Sequence, residues 1–132
     1  MNKLIGTIVE LRTEGQMSLV SIKVGSHLIS SIVLETPASA SYLANRGQVN
    51  VLFKETEVIL AKGPVEGISV QNKLPGKIVE IESAVLLSRV TIDIGTDKIV
   101  SIITTKGASQ LNLKVNDEIV AMIKTNEITL SA

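Results

Sequence analysis

The sequence predicts an all-β chain built as two small five-stranded units in tandem, each with one short helix between its third and fourth strands. Three observations predict this. Sliding the chain by 70 positions aligns residues 2–61 with 72–131 without a gap, and about 20 of roughly 60 pairs are identical, a self-similarity that marks duplicated units. Hydrophobic residues make up 45% of the chain, with one Tyr, one Phe and no Trp, so the core must come from Val, Ile and Leu, whose β-branched majority favours strands. The apolar runs are short and end at turn signals such as Gly25-Ser26 and Gly95-Thr96-Asp97.

In the first copy, Leu4 to Leu11 opens with β-formers. Leu19, Ile22 and Val24 lead to the Gly25-Ser26 turn and the apolar run Leu28 to Leu34, which together read as a hairpin. Thr36-Pro37 has the form of a helix start, with Thr as cap and Pro at the first helical position, and Gly47 ends the short helix it begins. Val49 to Phe53 and Val58 to Leu60 supply two more strands around the polar turn Lys54-Glu55-Thr56-Glu57. The second copy repeats the order with Gly76 to Ile81, Arg89 to Ile94, Lys98 to Thr104, a short helix around Gly107 to Leu111, Glu118 to Ile123 and Ile128 to Leu130. Three strands, a helix and two strands match the small, partly open barrel called the OB-fold. Asn2-Lys3-Leu4-Ile5-Gly6 returns as Asn72-Lys73-Leu74-Pro75-Gly76, which places the domains at 1–66 and 67–132.

Composition bounds the function. Thirteen basic and thirteen acidic side chains leave no net charge, which argues against a protein that neutralises many phosphates. With two aromatic residues there are few platforms for stacking single-stranded bases, so direct binding of nucleic acid is not expected. The absence of cysteine excludes disulfides, thiolate metal sites and cysteine nucleophiles. No stretch approaches the roughly 20 apolar residues of a membrane span, and the N-terminus lacks the apolar run of a secretion signal, so a cytoplasmic protein is expected. A domain of about 60 residues buries only about 60% of its unfolded surface, so assembly into a homo-oligomer is expected as well.

Enzyme chemistry finds little foothold. His27 stands alone beside a hairpin turn, where no partner is apparent for acid–base work and one imidazole cannot build a metal site. Neither a GxxxxGK[ST] phosphate loop nor a GxSxG nucleophile elbow occurs. Lys54 and Lys124 are more informative. Each follows an apolar strand and begins a turn, where an ammonium beside backbone amides attracts anions. Thr104 and Thr125 add hydroxyl donors, and Ser69 and Gln71 add others from the junction. Such a set of neutral and positive donors suits a compact tetrahedral dianion.

These residues carry a family resemblance. Ser69-Val70-Gln71-Asn72-Lys73-Leu74-Pro75-Gly76 resembles the motif Ser-Ala-Arg-Asn-x-Leu-x-Gly that opens Mop domains, the molybdate-binding OB-folds also called TOBE or molbindin domains. Lys77 to Ile81, the turn at Gly95, Val100 to Thr104 and Ala121 to Thr125 fall at that family's spacing. The resemblance covers nearly the whole chain, once per copy. It implies a non-catalytic protein that binds molybdate or tungstate for storage or homeostasis, with no cofactor and with sites where domains or subunits meet. Carried over by position, it implies oxyanion binding by Ser69, Gln71, Asn72, Thr104, Lys124, Thr125 and Lys54.

Two departures bear on the site. Gln71 stands where the motif has Arg and offers an uncharged amide in place of a guanidinium. In the first copy Leu34 holds the Thr104 position and Glu55 the Thr125 position, and a carboxylate there repels an oxyanion. The resemblance also admits the sensor half of a molybdate-responsive regulator. With Met1 directly before the first strand, that reading needs a longer protein or a separate chain to supply the DNA-binding module.

Overall fold

The computed structural model describes residues 1–132. Its strands are β1 (Asn2–Glu14), β2 (Met17–Val24), β3 (His27–Val33), β4 (Gln48–Phe53), β5 (Ile59–Ala61), β6 (Asn72–Ser83), β7 (Leu87–Asp93), β8 (Lys98–Thr104), β9 (Glu118–Ile123) and β10 (Thr129–Ser131). One α-helix, α1 (Thr105–Gln110), follows β8, and single 3-10 turns occupy Glu55–Glu57 and Thr125–Glu127.

The chain divides into two compact units. The first holds Met1–Phe53 and Lys124–Ala132, and the second holds Lys54–Ile123. The first unit is one antiparallel sheet in the order β10-β4-β1-β2-β3, and the second is one in the order β5-β9-β6-β7-β8. These units are not the halves 1–66 and 67–132 that the repeat suggests: β5, from the first repeat, completes the second unit, and β10, from the second repeat, completes the first. Within the first unit, β10 pairs with β4 through Leu130 and Val51. Within the second, β5 pairs with β9 through Leu60 and Ala121.

The period of two explains the strands. Along β1, Asn2, Leu4, Gly6 and Ile8 are buried while Lys3, Ile5, Thr7 and Val9 are exposed, the signature of a sheet with one face on a core. Leu4, Ile8, Val20, Ile22 and Ile29 are at most 1% exposed in the first unit, as are Leu74, Ile78, Val90, Ile92 and Ile99 in the second, and each full burial stabilises by about 1.5–3 kcal/mol. A bulge interrupts β1 between Ile8 and Glu10 and β6 between Ile78 and Glu80, bending the long strand so that it serves both flanking neighbours. Just ahead of each bulge lies Gly6 or Gly76. A Cβ on Gly76 would stand 2.6 Å from the Asp93 carbonyl oxygen, and one on Gly6 would stand 2.9 Å from that of Lys23. Pro75 is tolerated in β6 because there the strand pairs with β9 alone; pairing with β7 begins at Lys77.

The helix expected in the first copy does not form. Residues 36–44 make turns instead. Thr36 does act as a start, accepting from Ser39 N at 3.0 Å and Ala40 N at 2.8 Å, but propagation ends after that turn. Thr36 N donates to Ser39 Oγ at 2.9 Å and Ser39 N to Thr36 Oγ1 at 3.4 Å, a reciprocal cap of the kind that opens helices, but a segment this short gains too few further bonds to offset the cost of nucleation. The second-copy helix forms where it is expected, around residues 107–111, and begins two residues earlier.

Candidate functional site

Lys54 and Lys124 occupy the same local geometry. Each is exposed, stands directly after an apolar strand, and has extended backbone, with φ −71° and ψ 144° at Lys54 and φ −67° and ψ 148° at Lys124. The Lys54 carbonyl accepts from Glu57 N at 3.0 Å and the Lys124 carbonyl from Glu127 N at 3.1 Å. The polar turns expected here are therefore closed 3-10 turns, whose leading amides have no acceptor within the turn. No side chain caps either one.

The opening motif of the second repeat runs into β6. Ser69 and Gln71 are exposed in the segment before that strand, whereas Asn72, its first residue, is fully buried. Asn72 pairs with Ile123, the residue before Lys124. In the first unit Asn2 pairs with Phe53, the residue before Lys54. The buried asparagine thus pairs with the residue before the lysine in both copies.

Thr104 ends β8 and caps α1, its Oγ1 accepting from Gly107 N at 3.0 Å. That bond uses one lone pair of the hydroxyl and leaves its hydrogen available to donate. Thr104, Thr56 and Gln110 rim a 580 Å³ cavity of the second unit over the apolar residues Val58, Leu60 and Ile102. In that unit the Glu55–Glu57 turn packs on β8; in the first unit the Thr125–Glu127 turn packs on β3. The turn of each repeat therefore meets the third strand of the other, and Thr104 shares a unit with Lys54, whereas Lys124 and Thr125 share one with Leu34, which is 79% exposed.

Charge near Lys54 is moderated locally. The Glu55 carboxylate lies 3.9 Å from the Arg89 guanidinium, which offsets part of the negative charge that follows this lysine but not Lys124. No three His, Cys, Asp or Glu side chains converge as a metal-ion site, and no helix is long and apolar enough to cross a membrane. His27 opens β3, half-buried, opposite Val24. Thr56 and the serines Ser31 and Ser101 carry no motif that marks them in the sequence. The only sign of those serines in the sequence is their identity between copies inside an apolar run.

Comparison with known proteins places these features in context. Residues 68–130 match the TOBE domain family. Molybdenum-pterin-binding protein MopB of Rhodobacter capsulatus is 33% identical over 105 residues, which are 78% of this chain and 39% of the relative. The chain thus spans about two fifths of that relative's length. Molybdenum-pterin-binding protein 1 of Clostridium pasteurianum is 35% identical over 66 residues, 49% of this chain and 97% of the relative. The crystal structure of the cytoplasmic molybdate-binding protein ModG with molybdate bound matches with a TM-score of 0.89 at 26% identity, covering 99% of this chain and 95% of that one. The tandem OB-like architecture is common to both.

Proposed function

The chain belongs to the TOBE-domain family of molybdenum-pterin-binding proteins, and from that membership we propose that it binds molybdate or tungstate as an intact oxyanion, without transforming it, in intracellular storage or homeostasis. The observation that carries the reading is the doubled lysine at a strand end, ahead of an uncapped tight turn and one rung from the motif asparagine. In this reading Lys124 and Lys54 supply charge, Thr125 and Thr104 supply hydroxyls, Ser69 and Gln71 supply donors from the junction, and Asn72 supports them from within. Donors of this kind replace the water a dianion loses, and charge-assisted hydrogen bonds are roughly twice as strong as neutral ones. Lys124 is the stronger participant, because Thr125 follows it where Glu55 follows Lys54.

The setting is cytoplasmic, as it is for the similar ModG, and the chain assembles as a homo-oligomer. Molybdate and tungstate have almost the same size and charge, so this donor set takes both. Crystals grown with molybdate test the proposal through the anomalous signal of molybdenum. A peak within hydrogen-bonding distance of Lys124 and Thr125 supports it, and a peak remote from all seven residues removes them from the site.

A further inference from the structure

The buried polar side chains are Asn2, Ser18, Ser31, Asn72, Ser88 and Ser101. They form three pairs related by the repeat: 2 with 72, 18 with 88 and 31 with 101. A hydroxyl removed from water costs free energy unless it is bonded, and alanine in its place carries no such liability. The destination of each bond is therefore informative. Ser31, on β3, has no exposed surface, and its Oγ donates to the Ile128 carbonyl at 3.0 Å, 97 residues along the chain. In the other unit, Ser101 Oγ donates to the Val58 carbonyl at 2.7 Å. Ile128 and Val58 are the residues that end the tight turns opened by Lys124 and Lys54.

The turn from Lys124 to Ile128 is thus closed on itself by Glu127 N and the Lys124 carbonyl, and is tied down at its far end by Ser31. The Ile128 side chain is 3% exposed and also anchors the turn. An aliphatic contact is non-directional, however, and fixes where the turn sits rather than how it is rotated. The hydrogen bond fixes the direction of the Ile128 carbonyl. In a turn this short, that sets the attitude of the peptides preceding it.

We infer that Ser31 is a positioning residue of the oxyanion site, its buried hydroxyl orienting the Lys124–Ile128 turn so that the Lys124 ammonium and the Thr125 donors meet one tetrahedral anion together. The inference rests on reading Lys124 and Thr125 as ligand-binding residues. Its physical basis is preorganisation: donors held in place before binding lose less freedom when the ligand arrives.

Ser18 provides a matched control in the same unit. It is 1% exposed, and its Oγ donates to the Glu35 carbonyl at 2.6 Å, a segment that carries none of the proposed ligand donors. Titration calorimetry with molybdate, alongside thermal unfolding, separates positioning from simple structural support. Both Ser31→Ala and Ser18→Ala lower the unfolding midpoint; Ser31→Ala weakens molybdate roughly tenfold, and Ser18→Ala leaves affinity within about twofold. In a Lys124→Ala background the effect of Ser31→Ala on affinity shrinks to about twofold or less, because coupled residues are not additive. Ser31→Cys keeps the side-chain shape at slightly greater bulk, substitutes a weak donor, and shows the same weakening should the alanine variant fail to fold. Equal losses in both backgrounds, or unchanged affinity in a folded Ser31 variant of a protein that binds molybdate, overturn the inference alone. Wild-type protein that binds no molybdate overturns the functional reading and this inference with it.

Discussion

Asn72 pairs with Ile123 across β6 and β9, and Asn2 pairs with Phe53 across β1 and β4, so each repeat sets a buried asparagine one rung from a strand-end lysine. The same register that closes each sheet therefore brings the first residue of the repeat to the start of the lysine-bearing turn. Folding and the candidate site share these rungs, and changes at the sheet crossing and at the pocket are expected to be separable by experiment.

Gly76 tests the crossing. Alanine there would place its Cβ 2.6 Å from both the Asp93 carbonyl oxygen and Ile92 Cγ2, and the backbone oxygen cannot move aside without shifting β7. Gly76→Ala is expected to destabilise by about 1–3 kcal/mol, the usual cost of overpacking. A lowered urea midpoint checks this, and an unchanged one shows that the strand relaxes freely at that point.

Gln71 tests the charge of the pocket. Arginine at this exposed position restores the guanidinium of the family motif, with a permanent charge and a planar fork of donors. Gln71→Arg is expected to tighten molybdate by about tenfold, or roughly 1.4 kcal/mol, with little change in stability. Unchanged affinity means that residue 71 lies outside the site.

Asp117 links pH to the stability of the second unit. Its Oδ2 accepts from Lys114 N at 2.9 Å and lies 3.1 Å from Lys62 Nζ. The backbone hydrogen bond first, and the lysine second, hold this carboxyl below its ordinary value. A depressed folded-state value contributes stability that is present above the unfolded value of about 3.9 and lost as pH falls through the folded one. Asp117→Asn should be less stable than wild type at neutral pH, and the gap should close in acid below about pH 4. A gap that persists unchanged in acid would assign the loss to something other than charge.

Tyr42 gives a clean optical reading of the first unit, because it is the only Tyr and no Trp is present. Burial, and then its hydrogen bond to Glu35, push its phenol up to about 12. A raised value contributes stability that is present below the unfolded value of about 10 and lost as pH climbs through the folded one. Ultraviolet absorbance should show phenolate forming near pH 12 in the folded protein, and Glu35→Gln should lower that titration only in part, since burial is the larger cause. Titration near pH 10 in folded wild type would contradict the half-buried, bonded phenol.

Much of this fold is legible in the sequence. The β-formers from Leu4 to Leu11 identify β1 and the repeat carries that reading to β6, but the inner face is not legible, since Ile5 and Val9 outside are as apolar as Leu4 and Ile8 inside. The exchange of final strands is not legible. Ile59-Leu60-Ala61 and Thr129-Leu130-Ser131 each turn one leucine inward between less buried neighbours, so either segment suits either sheet and local pattern cannot choose between them. The missing first-copy helix is not legible either: its start signal is good, with Thr36 and Ser39 capping each other, and only the cost of nucleating a helix in so short a segment stops it after one turn. At the site, lysines and hydroxyls stand out by type and position. Ser31 does not, because a hydroxyl bonded to a carbonyl 97 residues away leaves no spacing signature.

Oxyanion binding at the lysine turn is tested most directly by calorimetric titration of the folded protein with molybdate, tungstate and sulfate, repeated with Lys124→Ala. Saturable heat is expected with molybdate and tungstate, weakened in the variant by roughly tenfold to a hundredfold, since a hydrogen bond to a charged group is worth about 1.5–3 kcal/mol. Lys124 is exposed, so the variant should keep its thermal midpoint. Folded wild-type protein that gives no heat with either anion would rule out oxyanion binding at the lysine turn.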